Sequence, residues 1–292
     1  MNGGVAARGP LSLRSRTLLD GGMGTALMAR GLPGGALPEE WLVTRPEAIA
    51  AVHAEHAAAG AGLVLTCTFN LAAPRLAARV DPARIEELAA SAVRLARDAA
   101  PGAIVAGALG PTGLAGPGRT APVRAVAAGY GRAARALAAA GADLLWLETQ
   151  HDRAEARLAL VAARATGLEV AVTFTPGEGR PWALTDGTPV EEALLAMASL
   201  GASAAGVNCV AAGPPLAELA AWAHAALRVP FVAKPSPGLP GAVRPADAFA
   251  ADLTPALGAG VSLAGGCCGA TSEHLRALAA AWDRIPIAQS RA

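Results

Sequence analysis

The sequence has few cysteines, a single lysine and no excess of charge of either sign. Its 292 residues contain 4 cysteines, 24 basic and 23 acidic residues, so the formal net charge is +1. A chain of this length with so few cysteines is not held together by a disulfide framework, and clustered cysteines in it indicate metal ligands or catalytic groups. The balanced charge predicts no binding surface for nucleic acid or for an anionic membrane.

The sequence also lacks a long apolar run. Alanine-rich stretches such as "ALAAAGADLLW" are interrupted by charged residues before about 18 continuous apolar residues accumulate, the length that a membrane-spanning helix needs. The first residues, "MNGGVAARGPLSLRSRTLL", contain no continuous apolar core of the kind found in signal peptides. We therefore expect a cytoplasmic protein with no membrane partner, in which residues 1–15 form a flexible tail.

One local pattern occurs five times along the chain. It consists of a helical end, a glycine, one or two further residues and a short apolar run, as in "LAAAGADLLWLET" (137–149). A glycine at this place is typical of a left-handed residue that ends a helix before a tight turn. The runs are continuously apolar, which indicates parallel strands buried on both faces. The glycines are Gly60, Gly141, Gly167, Gly201 and Gly260.

Two segments carry residues that are typical of helix starts. Thr188 is expected to cap a helix with Pro189 in its first position, and Glu191 is expected to close a capping box. Asp152 and Glu155 stand in the same arrangement at the start of another predicted helix. Both helices would lie between predicted strands, as an alternating α/β fold requires.

Eight strands separated by helical segments can be counted in about 250 residues, which matches a single (β/α)8 TIM barrel of the α/β class. We place the barrel at residues 16–285, between tails at 1–15 and 286–292. A doubly wound open sheet is the rival fold, but it usually carries G-x-G-x-x-G after its first strand, and "DGGMGTAL" does not match. The predicted strands lie near residues 17–20, 63–67, 103–109, 144–148, 169–174, 204–209, 230–234 and 261–266.

Two of the predicted strands end in cysteine, and chemistry in a TIM barrel takes place at the C-terminal strand ends. Cys209 ends the sixth strand, and Cys267 and Cys268 end the eighth, so three thiols would meet at one rim. Three thiolates form an incomplete zinc site whose open position suits a substrate thiol. The alternative is that the cysteines are small apolar core residues, which is the role we favour for Cys67. His274 lies in the following helix and is expected to face solvent.

Six segments resemble, in chain order, a known family: "LLDGGMGTAL", "GALGPTG", "GADLLWLET", "GVNC", "AKPSPGLPG" and "GGCCGAT". They resemble the homocysteine-binding barrel of the zinc-dependent homocysteine S-methyltransferases, and most closely the N-terminal barrel of cobalamin-dependent methionine synthase. The likeness covers about residues 17 to 283 of the sequence. "GVNC" combined with "GGCC" is specific to this family, whereas "GPTG" alone would be weak.

The resemblance implies that Cys209, Cys267 and Cys268 bind Zn²⁺ as the catalytic centre. It also implies that Asp20 and Glu148 bind the amino group of homocysteine. Elementary electrostatics agrees with this division, because two carboxylates beside a metal thiolate attract an ammonium group and repel an anion.

The same resemblance implies that backbone amides at Gly21 and Gly22, together with Thr66 and Thr68, bind the substrate carboxylate. Glycine-rich backbone at a strand end is a natural nest for an anion. We expect Asn208, also within the substrate site, to orient the backbone near the zinc.

The sequence departs from the family pattern at two positions of the predicted barrel mouth. Cys67 in "TCTF" and Ser236 in "KPSPGLPG" stand where asparagine is more usual. Neither is an expected zinc ligand, so the departures leave the central chemistry intact and leave the finer shape of the mouth open.

The implied activity is the zinc-dependent transfer of a methyl group to the thiolate of homocysteine, which gives methionine. We expect no folate, cobalamin or activation domain in this chain, so the donor is open. A corrinoid or folate partner protein is favoured, and S-methylmethionine or a betaine is the other choice. A non-catalytic zinc- or thiol-binding barrel that acts as a subunit or sensor is the alternative to an enzyme. Apolar helix faces would suit a homodimer.

Overall fold

Eight parallel strands alternate with eleven α-helices in a computed structural model of the chain, which describes residues 16–115, 122–177, 182–239 and 241–286. The strands are β1 (Thr17–Leu18), β2 (Leu63–Leu65), β3 (Ile104–Leu109), β4 (Leu144–Gln150), β5 (Val170–Phe174), β6 (Ala204–Asn208), β7 (Phe231–Lys234) and β8 (Leu263–Ala264). The helices are α1 (Met23–Met28), α2 (Trp41–Thr44), α3 (Pro46–Ala58), α4 (Pro74–Ala77), α5 (Ile85–Ala99), α6 (Val123–Ala139), α7 (Arg153–Arg164), α8 (Val190–Ser199), α9 (Pro214–Ala226), α10 (Ala246–Gly258) and α11 (Ser272–Asp283). None of the helices within these ranges combines the length and the apolar character needed to cross a membrane.

The strands close into a barrel. Their order in the sheet is β1-β8-β7-β6-β5-β4-β3-β2. Thr17 pairs with Leu263 between β1 and β8, and a parallel bridge from Leu19 to Leu63 joins the first strand to the second. The predicted single (β/α)8 barrel is therefore confirmed, and the rival open sheet is wrong. The predicted tails at 1–15 and 286–292 lie outside the described residues, apart from residue 286.

All eight predicted strands are present, and their extents differ from the prediction mainly at the C-terminal ends. β1, β2 and β8 are shorter than predicted, because the backbone leaves regular pairing after Leu18, Leu65 and Ala264, and β8 also begins two residues later than predicted, at Leu263. β4 instead continues to Gln150, with a shift of register after Leu147. The residues that leave the regular sheet are those that form the loops around the barrel mouth.

The five glycines of the repeated pattern all have the predicted left-handed backbone, with φ between 83° at Gly167 and 113° at Gly260. A side chain at such a φ would be strained, and glycine adopts it without that cost. The repeated pattern therefore correctly predicted where helices end and strands begin.

One predicted helix start is confirmed and the other is wrong. Asp152 caps α7, because its side chain accepts a hydrogen bond from the Glu155 backbone N–H at 2.8 Å. Thr188 does not cap α8: Pro189 is the N-cap residue and no side chain caps this helix. The physical reason is a local hairpin, in which Ala183 pairs with Pro189 and Thr188 O accepts from the Leu184 N–H. This pairing holds the chain extended for one residue more than the pattern predicts.

The apolar side chains form two layers, one inside the barrel and one between the strands and the helices. The interior is filled by Trp146, whose indole N–H donates to Thr173 Oγ1 at 3.2 Å, surrounded by smaller side chains. The outer layer is larger and receives the inner faces of the helices. Burial on both faces explains why the strands are continuously apolar.

His274 is buried, so the prediction that it faces solvent is wrong. Only 5% of the residue is exposed, and its Nδ1 accepts from the Thr271 backbone N–H at 3.2 Å. Its Nε2 lies 2.8 Å from Arg244 O, which fixes Nε2 as the protonated nitrogen. His274 thus completes the cap of α11 and ties it to the segment after β7, in a role that helical periodicity alone did not reveal.

A buried histidine in α3 is expected to make the protein sensitive to acid. Neither ring nitrogen of His53 has a hydrogen-bond partner among the described residues. Burial lowers the pKa of His53 to about 4, although the Asp20 charge opposes this shift and His56 adds to it. The unfolded chain takes up this proton near pH 6.5 and the folded chain only near pH 4. The contribution of neutral His53 to the free energy of unfolding is therefore fully present above pH 6.5. It is lost as the pH falls from 6.5 to 4, by up to about 3 kcal/mol.

The His53→Leu variant is expected to flatten this part of the stability profile, because leucine has no proton to bind. Urea unfolding at intervals between pH 4 and 7.5 measures the effect. The same substitution at the exposed His224 is the control and should leave the slope unchanged. An equally steep profile in His53→Leu would show that other groups cause the acid sensitivity.

Candidate active site

Three cysteine side chains meet at the C-terminal ends of β6 and β8. Cys209 directly follows β6, and Cys267 and Cys268 lie in the loop after β8. Cys209 Sγ is 2.6 Å from Cys267 Sγ and 3.8 Å from Cys268 Sγ, and all three sulfurs lie within 4.8 Å of one another. Sulfurs bound at about 2.3 Å to one tetrahedral ion would be about 3.8 Å apart. The three thiols are therefore close enough to bind a single metal ion.

The backbone next to these thiols is strained. Cys209 and Thr149 have φ of 56° and 60°, and they are the non-glycine residues with positive φ in the described part of the chain. Such a conformation is costly for a residue with a Cβ atom and is typically found at functional sites. The unusual φ turns Cys209 away from the strand direction at the point where β6 ends.

Asn208, the last residue of β6, connects the two strained residues. Its Oδ1 accepts from the Thr149 backbone N–H at 3.0 Å, and its Nδ2 donates to Thr149 Oγ1 at 2.7 Å. The same Nδ2 lies 3.6 Å from both Cys209 Sγ and Cys267 Sγ. A donor aimed at two sulfurs favours their negatively charged form. Asn208 thus orients both the backbone and the thiols of the cluster.

The three thiols strongly perturb one another's acidity. Hydrogen bonds among the sulfurs have the largest effects and oppose each other, while burial and the Glu148 carboxylate raise the pKa of each thiol. The pKa is about 12 for Cys209 and Cys267 and about 11 for Cys268. Thiols that resist deprotonation in this way need a cation in the cluster to become thiolates.

Gly21 and Gly22 allow α1 to approach the cysteine loop closely. A Cβ on Gly22 would lie 2.5 Å from Cys267 O, and one on Gly21 would lie 2.5 Å from Ala270 O. The Gly22 N–H already donates to Ala270 O at 3.2 Å, and the Gly21 N–H is 3.5 Å from His56 Nδ1. The two glycines therefore join the loops after β1 and β8.

Asp20 and Glu148 lie on either side of Lys234, the last residue of β7. Lys234 Nζ is 2.7 Å from Asp20 Oδ1 and 3.7 Å from Glu148 Oε1. Asp20 Oδ2 accepts from the Leu65 backbone N–H at 2.8 Å, so both oxygens of this carboxylate have partners. Glu148 is held less firmly, because 3.7 Å is too long for a hydrogen bond, and 15% of its side chain is exposed.

Burial and the neighbouring charges act in opposite directions on the pKa values of Glu148 and Lys234. Burial raises the pKa of Glu148, and the Lys234 charge opposes that shift. Burial would lower the pKa of Lys234, but the Asp20 and Glu148 carboxylates outweigh it and raise that pKa. Lys234 thus lines the cavity as an ammonium group at neutral pH. The sequence contains only this one lysine, and its place at the end of an apolar strand was an available signal that sequence analysis did not use.

The hydroxyl groups of Thr66 and Thr68 form hydrogen bonds with each other and with the backbone of Ala108. The two oxygens lie 2.6 Å apart, Thr68 Oγ1 donates to Ala108 O at 2.8 Å, and Thr66 Oγ1 accepts from the Ala108 N–H at 3.0 Å. The hydroxyl hydrogen of Thr66 must then point to Thr68. Cys67, between them, is buried in the outer apolar layer and is not part of the sulfur cluster.

One cavity of about 410 Å³ brings these groups together. The cysteine cluster, Lys234 and Glu148 line it beside the strand ends, and the segments that follow β1 and β2 form other parts of its wall. Side chains that sequence analysis did not name also line it, among them Glu39, Phe69, Asn70 and Arg75.

Glu39, Asn70 and Arg75 form a connected polar network at the cavity wall. Glu39 is fully buried and accepts from the Asn70 backbone N–H at 2.6 Å and from Asn70 Nδ2 at 2.9 Å. Asn70 Oδ1 in turn accepts from Arg75 Nε. Burial raises the pKa of Glu39, while Asn70 and Arg75 oppose that shift. No periodic signal in the sequence indicates this network, because its members lie in irregular segments and short helices.

The chain is similar in sequence and in structure to proteins that methylate homocysteine or synthesise methionine. The model of the homocysteine S-methyltransferase family matches residues 17–282. Homocysteine S-methyltransferase from Escherichia coli is 32% identical over 299 residues, which cover 90% of this chain and 94% of that protein. Methionine synthase from Mycobacterium tuberculosis is 30% identical over 91% of this chain, which spans only 24% of that longer protein. The metallated crystal form of the E. coli homocysteine methyltransferase MmuM superimposes with a TM-score of 0.76 at 29% identity, covering 91% of this chain and 96% of that one. The chain belongs to the homocysteine S-methyltransferase family.

Proposed function

We propose that the protein transfers a methyl group to the sulfur of homocysteine and forms methionine, with Zn²⁺ bound by Cys209, Cys267 and Cys268. The observation that carries the proposal is the cluster of three sulfurs within 4.8 Å of one another, in a cavity that also contains Glu148, in a chain of this family. The thiol of homocysteine could bind at the cysteine cluster while its amino group is attracted by the Glu148 carboxylate, since both line the same cavity.

The donor set fits zinc. Three cysteine sulfurs are typical zinc ligands, and a fourth position left to substrate is typical of catalytic sites. Free thiols have a pKa near 8.5, and zinc bound at these sulfurs would supply deprotonation of an incoming thiol at neutral pH. The chain's own contribution is the placement of the three sulfurs, with Asn208 as a donor to two of them.

The acidic side of the cavity would bind the amino group of homocysteine. Glu148 is the more available carboxylate, because Lys234 approaches it only to 3.7 Å. Asp20 is held by Lys234 and by the Leu65 N–H, and its direct contact with the substrate amino group stays a prediction. The contacts of Gly21, Gly22, Thr66 and Thr68 with the substrate carboxylate stay predictions.

The reaction needs no general base at the methyl-transfer step. A lone pair of the homocysteine thiolate forms the new S–CH₃ bond, and the bond from the methyl group to the donor breaks with its electron pair going to the donor atom. A cationic donor leaves as a neutral molecule, so charge is neutralised in the cavity. Apolar residues that line the cavity favour such a step because they exclude water.

A steady-state assay with homocysteine and a panel of donors tests this proposal. We expect methionine to form from at least one of S-methylmethionine, glycine betaine and a methylcorrinoid. The chain is similar both to a methionine synthase and to a homocysteine S-methyltransferase, so the panel includes a corrinoid donor and small methylated donors. Homocysteine binding without methyl transfer from any donor would contradict the proposal and favour a non-catalytic thiol-binding barrel.

A further inference from the structure

The cavity is larger than a single four-carbon amino acid needs. Its volume of about 410 Å³ lies in the range of pockets that hold drug-sized ligands. Homocysteine bound through its sulfur at the cysteine cluster would leave part of this space open. That remaining space is bordered by apolar side chains of the segments after β1 and β2, among them Met23, Leu37 and Phe69.

Arg75 is an exposed residue that lines the same cavity, and two contacts orient its side chain. Its Nε donates to Asn70 Oδ1, and its guanidinium carbon lies 5.8 Å from the centre of the Phe69 ring. Asn70 is itself held by two hydrogen bonds to the buried Glu39. Nε is used by the hydrogen bond to Asn70, and the two terminal nitrogens of the guanidinium group have no hydrogen-bond partner among the described residues. These two nitrogens form an edge that can bind a carboxylate.

The charged groups of the cavity belong to two separate sets. Lys234 lies 2.7 Å from Asp20 and 3.7 Å from Glu148, whereas Arg75 is connected to Glu39 through Asn70. An acceptor that binds through its thiol and its amino group uses the first set. The guanidinium group of the second set is then available to a second substrate.

We propose that Arg75 binds the carboxylate of a small zwitterionic methyl donor, whose sulfonium or quaternary ammonium centre faces the three cysteines. This inference rests on the proposed methyl transfer to homocysteine. The cationic centre of the donor would lie among the apolar side chains of the cavity, since the Phe69 ring already contacts the Arg75 guanidinium group. Its methyl group would then be directed at the acceptor sulfur.

The transfer balances without a further reactant. The thiolate sulfur forms one bond to the methyl carbon, and the carbon–sulfur bond of a sulfonium donor breaks with its electron pair going to the donor sulfur. One anion and one cation become two neutral thioethers. For a quaternary ammonium donor, the products are a thioether and a tertiary amine.

The test compares donors with and without a carboxylate in the Arg75→Met variant. We expect KM for S-methylmethionine or glycine betaine to rise about 10- to 100-fold, the value of a lost charge-assisted bidentate contact. KM for homocysteine should stay within about twofold of the wild type. Dimethylpropylsulfonium, which has no carboxylate, should react equally well with both proteins. Arg79→Met is the matched control, because Arg79 is an exposed neighbour that pairs with Glu40 outside the cavity lining.

Binding and turnover together separate the two proposals. Calorimetric titration of the zinc-loaded protein with S-methylmethionine should show a Kd that rises in Arg75→Met by the same factor as KM. Methyl transfer with an unchanged donor KM in Arg75→Met, or with a raised KM for homocysteine instead, overturns the donor site and leaves the proposed function standing. Transfer from a methylcorrinoid alone also overturns the donor site. Absence of transfer from every donor contradicts the proposed function itself.

Discussion

The Cys268→Ala variant is expected to lose its zinc and with it nearly all methyl transfer. Wild-type protein, purified under reducing conditions, should contain about one zinc per chain, because the three sulfurs lie close enough to share one ion. Loss of groups that merely support metal ligands typically costs 10- to 100-fold in metal affinity or activity. Removal of a ligand itself should therefore lower kcat/KM by more than about 100-fold. Elemental analysis and the homocysteine assay measure the two effects.

Cys67→Ala is the matched control for metal content. It removes the same thiol group from a buried position outside the sulfur cluster. The variant should keep about one zinc per chain. Full zinc content in Cys268→Ala, or loss of zinc from both variants, would mean that the cluster is not the metal site.

The Lys234→Met variant is expected to destabilise the protein by about 3–5 kcal/mol, because it leaves Asp20 as an unpaired charge in the interior. Both side chains of the pair are only 2% exposed, and their charged atoms are 2.7 Å apart. Removal of one partner from such a pair costs much more than the pair itself contributes. Urea unfolding at neutral pH measures the loss.

The double variant Asp20→Asn/Lys234→Met is expected to recover a large part of this stability, because no unpaired charge is left. The difference between the double variant and the sum of the single ones gives the coupling between the two residues. Arg94→Met is the control: Arg94 and Asp98 form an exposed ion pair, and such pairs contribute about 0–1 kcal/mol. A double variant as unstable as the two single losses added together would show that Lys234 is not the partner of Asp20.

The barrel was predictable because each repeat carries its own local signals. The glycine at each helix end and the apolar run after it are properties of neighbouring residues, and the five positive φ values follow from them. Thr188 was misassigned because its helix start is set by pairing between Ala183 and Pro189, six residues apart. His274 was misassigned because its environment includes Arg244 O, thirty residues away.

The candidate site was predictable only in part, because contacts between residues that are distant in the sequence decide the role of each side chain. Cys209, Cys267 and Cys268 stand at strand ends, and barrel topology alone brings strand ends together. Whether a given side chain is free for substrate depends on its partners across the barrel. The pairing of Asp20 with Lys234 and the engagement of Thr66 with Ala108 are contacts of this kind.

The network of Glu39, Asn70 and Arg75 is the part of the cavity that was least predictable from the sequence. Glu39, Asn70 and Arg75 come from irregular segments and short helices, and no spacing rule relates them. Only the folded chain shows that a buried carboxylate orients an amide and that the amide orients a guanidinium group. The donor site proposed at Arg75 therefore depends on side-chain contacts that the sequence does not reveal.

X-ray absorption at the zinc edge tests most directly whether the three sulfurs bind a metal that accepts the substrate thiol. We predict three sulfur neighbours and one lighter atom in the zinc-loaded protein, and four sulfurs at about 2.3 Å after homocysteine is added. A sulfur count that stays unchanged on addition of homocysteine would contradict the account.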